Sequence, residues 1–152
     1  MAYDGPELER WRGHARAAAD LAAVAAAASP SWSCFLSEQA AQLALKGLLH
    51  AVGEQAAAWG DDLGPIERRT AAVFGADWPP ELAEVALRLG RHYQPARYPD
   101  AHPGGGPDEH YSAGDARQAA ADTAAVLAAV HAVTAALRAA EAGDGAGDGA
   151  GG

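Results

Sequence analysis

Cysteine occurs once in this chain, as do lysine and methionine. A single thiol, Cys34, excludes an internal disulfide framework, and the N-terminus carries no basic segment followed by an apolar run and a cleavage site. The expected setting is therefore a reducing cytoplasm. Long apolar runs are also missing: the alanine-rich stretches are broken by Asp20, Lys46, Asp122 and His131, well short of the roughly 20 continuous apolar residues that cross a membrane. No membrane partner is expected. Positive charge is scarce, with 11 lysines and arginines against 20 acids for a net charge of −9. Such a balance opposes indiscriminate capture of polyanions, so no DNA partner is expected and any RNA contact must be local. No HExxH, paired CxxC, calcium loop or strand-to-helix glycine loop is present, so neither a metal site nor a cofactor is expected.

What the chain does have is helical periodicity. Its 152 residues suffice for one core without disulfide or metal staples. Asp4, Pro6 and Glu7 form a helix-start signal, and the helix they begin should run to about Ala28. Leu8, Trp11, Ala15, Ala18 and Ala22 supply its apolar stripe, widened by Leu21 and Val24. Ser29-Pro30 starts a second helix that should reach about Val52 and, being the least polar, should pack on several sides. A short helix capped by Asp61 or Asp62 follows, with Ile66, Arg69 and Val73 along one face. Another runs from about Pro80 to Tyr93, with Leu82, Val85, Ala86 and Leu89 as its stripe and Arg88 and Arg91 outside.

Pro95, Pro99, Pro103 and Pro107 then keep the chain out of regular helix for about 20 residues, a length at which loops are usually functional or mobile. Ser112 and Asp115 suit the start of the last helix, whose seam is Ala119, Thr123, Val126, Val130, Val133 and Leu137. The expected fold is all-α, an up-and-down bundle of about five helices with a long loop before the last. Residues 1–141 form the domain, and the glycine-rich tail 142–152 is expected to be disordered.

Reactive side chains concentrate in the loop segment Arg97-Tyr98-Pro99-Asp100-Ala101-His102. Two arrangements are open there: a site, or a rigid corner in which Arg97 pairs with Asp20 or another buried acid, Tyr98 plugs the core and His102 faces solvent. On the second helix Gln39 and Lys46 share a face, with His50 one turn further on. The plain alternative has Gln39 bonding neighbouring backbone, Lys46 reaching for solvent and His50 in a frayed last turn. His14 and His131 read as satisfied or surface imidazoles, and Cys34 as a small buried hydrophobe.

From about Trp11 to Leu137 the chain resembles the HEPN superfamily of small helical domains, found beside nucleotidyltransferases and in RNA-cleaving toxins. The resemblance is carried by Trp11 with Ala18-Ala19-Asp20-Leu21, by Gln39-Ala40-Ala41 running to Ala44-Leu45-Lys46-Gly47-Leu48-Leu49, by Tyr93 with Arg97-Tyr98-Pro99-Asp100, and by Tyr111 leading into an alanine-rich helix. The chain departs from the pattern at Gly60-Asp61-Asp62-Leu63, where many relatives have His-Asp-Leu or His-Ser-Leu, and at Gln42 and Leu43, where glutamate and lysine are common.

The resemblance implies a homodimer, with a nucleotidyltransferase as a further partner. It also implies a nucleotide or RNA ligand held by Lys46, Arg88, Arg91, Arg97, Tyr98 and Asp100. A toxin-type, metal-independent ribonuclease is the alternative: Arg97 and His102 match the arginine–histidine spacing of the family's nucleases. There the imidazole would accept the proton of a 2′-hydroxyl while the guanidinium stabilises charge on the phosphate. A purely structural helical dimer is the third possibility.

Overall fold

A computed structural model describes residues 1–147. Five α-helices occur among them and no strand: α1 (Gly5–Ala25), α2 (Pro30–Ala51), α3 (Leu63–Phe74), α4 (Leu82–Gly90) and α5 (Ala113–Gly147). Four short 3-10 turns punctuate the connections, at Gln55–Ala58, Gly75–Asp77, Pro99–Ala101 and Pro107–Glu109.

The helix starts follow directly from local chemistry. The Asp4 carboxylate accepts from the Glu7 amide at 2.9 Å, and the Ser29 hydroxyl accepts from the Trp32 amide at 3.3 Å. Asp62 caps α3 by accepting from Gly64 N–H at 3.2 Å. At α5 the exchange is reciprocal: the Ser112 amide donates to the Asp115 carboxylate at 2.7 Å, and the Asp115 amide to the Ser112 hydroxyl at 3.2 Å. Each such cap satisfies a helix-end donor that would otherwise lack a partner.

Helix α2 is the centre of the bundle and touches all four of the others. Leu45, Leu48 and Leu49 are fully buried on it, together with Ala40, Ala41 and Ala44. Each leucine removed from water contributes roughly 1.5–3 kcal/mol. The α5 seam is buried throughout, from Ala119 through Thr123, Val126, Val130 and Val133 to Leu137. Polar side chains tie the layers: Ser33 Oγ donates to the Ala22 carbonyl at 2.8 Å, and Thr123 Oγ1 to the Ser37 carbonyl at 2.7 Å. By length and composition Ala113–Asp144 could cross a membrane. Its buried Asp122, Thr123 and Thr134, however, face the bundle rather than lipid.

The structure corrects two expectations and settles one face that the sequence left open. On α1, Leu21 and Val24 do not widen the stripe; they are 54% and 76% exposed, because the small α1 contact surface is filled by Leu8, Ala15 and Ala22. On α3 the inner face is Leu63, Ile66, Glu67, Thr70 and Phe74, with Arg69 outside, where it pairs with Glu54 at 2.6 Å. Spacing had allowed either face; the Glu67 carboxylate can be inside because the Trp78 indole N–H donates to it at 2.9 Å. Helix α5 passes Glu141 and continues to Gly147, since extending a formed helix adds a hydrogen bond for each residue fixed. The remainder of the expected tail, 148–152, lies outside the described residues.

Helices α1 and α2 approach closely at Gly47, where an added methyl group would overlap the Cβ of Trp11. Gly13, on α1, has nothing within 4 Å of the same position. The same substitution should therefore act in opposite directions. Gly47→Ala is expected to destabilise by about 1–3 kcal/mol through overpacking, whereas Gly13→Ala should stabilise by about 0.5–1 kcal/mol through helix propensity. Urea unfolding midpoints of the two variants check this.

Candidate functional site

The α2 surface running from Phe35 through Glu38 and Gln42 to Lys46 meets two segments: the turn before α3, which carries Asp61, and the chain leaving α4, which carries Tyr93, Arg97 and Tyr98. Turns rather than helix occupy 91–97. They bring Arg97 back over Tyr93, whose carbonyl accepts from Arg97 Nε at 2.7 Å. The guanidinium carbon lies 4.4 Å from the ring centres of both Phe35 and Tyr93 and 4.9 Å from that of Tyr98. Three ring faces thus hold the cation, and the Nε bond to the Tyr93 carbonyl fixes the plane of its guanidinium.

Glu38, fully buried, shares this region. Both its oxygens accept amide N–H groups, from Gln42 and from Gln39 at 2.8 Å. Burial pushes its carboxyl up to about 7, against the pull of those amides and of the Arg97 charge. Gln42 also donates to the Asp61 carbonyl at 2.9 Å, fixing the turn on α2. The Asp61 carboxylate in turn raises the pKa of the Tyr93 hydroxyl and stands 3.9 Å from Lys46 Nζ. Asp61, Asp62, Gly90, Tyr93, Gln94 and Pro95 line a cleft of about 450 Å³.

His102 is engaged elsewhere. Its Nε2–H donates to the Pro95 carbonyl at 2.7 Å, and its ring stacks on His110 with centres 4.3 Å apart and planes 4° from parallel. His110 donates to the Gly104 carbonyl at 2.6 Å, while His92 and the Tyr111 hydroxyl share a hydrogen bond of 3.1 Å. Burial lowers the pKa of His92 and raises that of Tyr111 to about 12. Asp108 anchors the loop on the start of α2, accepting from the Ser29 hydroxyl at 2.6 Å and the Ser31 amide at 2.9 Å. These contacts hold its carboxyl below the usual range, led by the Ser29 hydrogen bond.

The structure brings Arg97 and Tyr98 together, with Lys46 linked to them through Asp61 and Tyr93. Arg88 is committed to Asp122, to which it donates twice at 2.9 and 3.0 Å, tying α4 to α5. Arg91 and Asp100 are exposed, and His102 shares none of the ring or hydrogen-bond partners of Arg97. Asp20 is exposed, so the alternative Asp20–Arg97 pair does not form, and Tyr98 is 46% exposed rather than a core plug. Gln39 bonds Glu38 instead of backbone, and His50 stacks on Trp11 at 4.7 Å instead of fraying. Cys34 is fully buried, its thiol pushed up to about 12 by burial, which leaves it unreactive. Among the described residues no group of three or more His, Cys, Asp or Glu side chains is placed to hold a metal.

Phe35, Glu38 and Asp108 were not identified as site residues from sequence, and Tyr93 entered only as a landmark of the resemblance. An acid within the least polar helix was the available signal for Glu38; the aromatic box needed the path of the 91–97 turns.

The class is that of an all-α bundle built around a central second helix. The chain belongs to the HEPN domain family, whose model matches residues 8–138. Two solved structures are similar. TT1696 from Thermus thermophilus is 35% identical, with a TM-score of 0.71 over 82% of this chain and 95% of that one. The archaeal HEPN homologue ST0689 is 29% identical, with a TM-score of 0.64 over 82% and 94%. No curated protein matches.

Glu38 has a directional effect on stability. Below its ordinary value of 4.5 the carboxyl is protonated whether the chain is folded or not. Between 4.5 and about 7 the unfolded chain ionises while the folded one keeps its proton, so this group's contribution falls as pH rises and levels off above about 7. The full change is on the order of 3 kcal/mol. Glu38→Gln should remove this component, so that its stability relative to the parent chain rises between pH 5 and pH 8. Chemical denaturation across that range checks it.

Proposed function

We propose that this chain is a binding module that holds the phosphate of a nucleotide or RNA end at Arg97. The observation that carries the reading is the guanidinium boxed by Phe35, Tyr93 and Tyr98, with its Nε fixed on a backbone carbonyl. A planar cation held in this way loses little freedom when it grips an oxyanion, and arginine matches phosphate with two parallel hydrogen bonds. Burial holds the Glu38 carboxyl on the same α2 surface well above the usual carboxylate range, so it competes less with a ligand for the Arg97 charge. The acidic remainder of the chain keeps such binding local.

A homodimer and a nucleotidyltransferase partner belong to the same reading. Leu21, Val24 and Trp32, exposed around the α1–α2 turn, provide apolar surface for such contacts. The ribonuclease alternative would require His102 to leave Pro95 and His110 or to meet an arginine of a second copy.

Calorimetric titration with inorganic pyrophosphate and AMP tests the module. Arg97→Lys keeps the charge but loses the planar fork and should weaken binding about tenfold or more. His102→Ala should leave it unchanged. Unaltered affinity in Arg97→Lys would sink the assignment. Cleavage of single-stranded RNA in EDTA that disappears in a folded His102→Ala variant would replace it with the nuclease.

A further inference from the structure

A second cleft opens beside the first, between the C-terminal end of α2 and the 55–61 turn. Its volume is about 610 Å³, and Trp11, Lys46, His50, Trp59, Gly60 and Asp61 are among its lining residues. We propose that it is a stacking subsite for a flat heteroaromatic ring, the base of a nucleotide, with Lys46 placed to meet the attached phosphate. The inference rests on the preceding reading that the ligand is nucleotidic, and it assigns the base a place that Arg97 does not provide.

Trp11 is a fixed wall. Its indole N–H donates to Glu7 at 2.8 Å, its ring lies on His50 with planes 24° apart, and its Cβ abuts Gly47. Trp59 is the opposite case, being 89% exposed. A ring of this size left in water gains most by covering its faces, and indoles do so readily with other flat rings. Its backbone is nonetheless directed: Ala58 before it is buried, and Gly60 after it adopts a φ of 92°, which a residue with a side chain would resist.

Every base presents a π-face, so indoles at a cleft take a base without reading its edge. The polar groups supply the rest. The 3.9 Å separation between Lys46 and Asp61 is long beside the 2.6–2.9 Å of the other ion pairs, so the ammonium is loosely held and can turn its donors to a phosphate. The exposed Asp61 carboxylate can accept from ribose hydroxyls or a base amine. Asp61 also lines the cleft with Tyr93, so the two subsites adjoin along one surface.

The test titrates the full chain with AMP, adenosine, inorganic pyrophosphate and a short oligo(A), using Trp59→Ala, Trp59→Phe, Lys46→Gln and Arg97→Ala. Trp59 packs so little that its removal should leave the melting temperature unchanged. Trp59→Ala is expected to weaken AMP, adenosine and oligo(A) about tenfold or more, with Trp59→Phe retaining most of the affinity and pyrophosphate binding unaffected. Lys46→Gln should weaken AMP and leave adenosine alone. Trp59-dependent binding of oligo(A) without measurable AMP binding identifies the ligand source as RNA and supports the subsite. Trp59→Ala with parental affinity for AMP and oligo(A) overturns it; if Arg97→Ala still abolishes oligo(A) binding, the Arg97 site stands by itself. If neither variant matters, or no probe binds, both assignments fall.

Discussion

A helix enclosed on several sides must find partners for nearly all the polar groups it carries, and α2 sets that constraint for this protein. Its N-terminal serines are met by Asp108, its Ser37 carbonyl by Thr123, and the Glu38 carboxyl by Gln39 and Gln42. Gln42 then fixes the turn that carries Asp61. The loops before α3 and α5 are thereby positioned by what α2 needs satisfied, and the aromatic box around Arg97 is built on one of its side chains, Phe35. Among the described residues the Ser37 hydroxyl is the one buried side-chain atom left without a partner. Losing such a partner leaves a desolvated group behind, which costs more than the hydrogen bond contributed.

Charge is distributed with equal economy. Arg10, Arg12, Arg69, Arg88 and Arg138 each face a carboxylate at 2.6–2.9 Å. Exposed pairs of this kind contribute little. The Arg88–Asp122 pair differs, because Asp122 is buried and would otherwise be an uncompensated charge in the α4–α5 seam. Arg97 differs again, since ring faces rather than acids hold it.

Helix starts were legible because a cap is a local event: Asp4, Ser29, Asp62 and the Ser112–Asp115 exchange are all settled within three residues. The α5 seam was equally legible, since its four-three spacing allows only one continuous face. The inner face of α3 was left open because a short helix permits more than one stripe, and the Trp78–Glu67 bond that decides between them spans a turn. Leu21 and Val24 were misjudged because spacing says which residues align and nothing about how far the neighbour extends. In the loop, the spacing shared with the family's nucleases left open that Arg97 and His102 act together. Within one chain the 3-10 turn at Pro99–Ala101 sends one to the aromatic box and the other to Pro95 and His110. Side chains five residues apart can be neighbours in sequence and strangers in contact.

The Asp108 contact divides the long connection into two lengths with different freedom. From Tyr93 to His102 the chain is indexed against α4 and α2 by Arg97 and against itself by the Pro95 carbonyl. From Asp108 onward it is indexed again, on the first turn of α2. Between these fixed points lie Pro103 to Gly106, whose backbone joins two anchors without itself carrying the site. His110 on the Gly104 carbonyl and Glu109 on the Gly106 amide close this span on itself, so the loop's tip is held locally while the register of Arg97 on α2 is left to the two anchors.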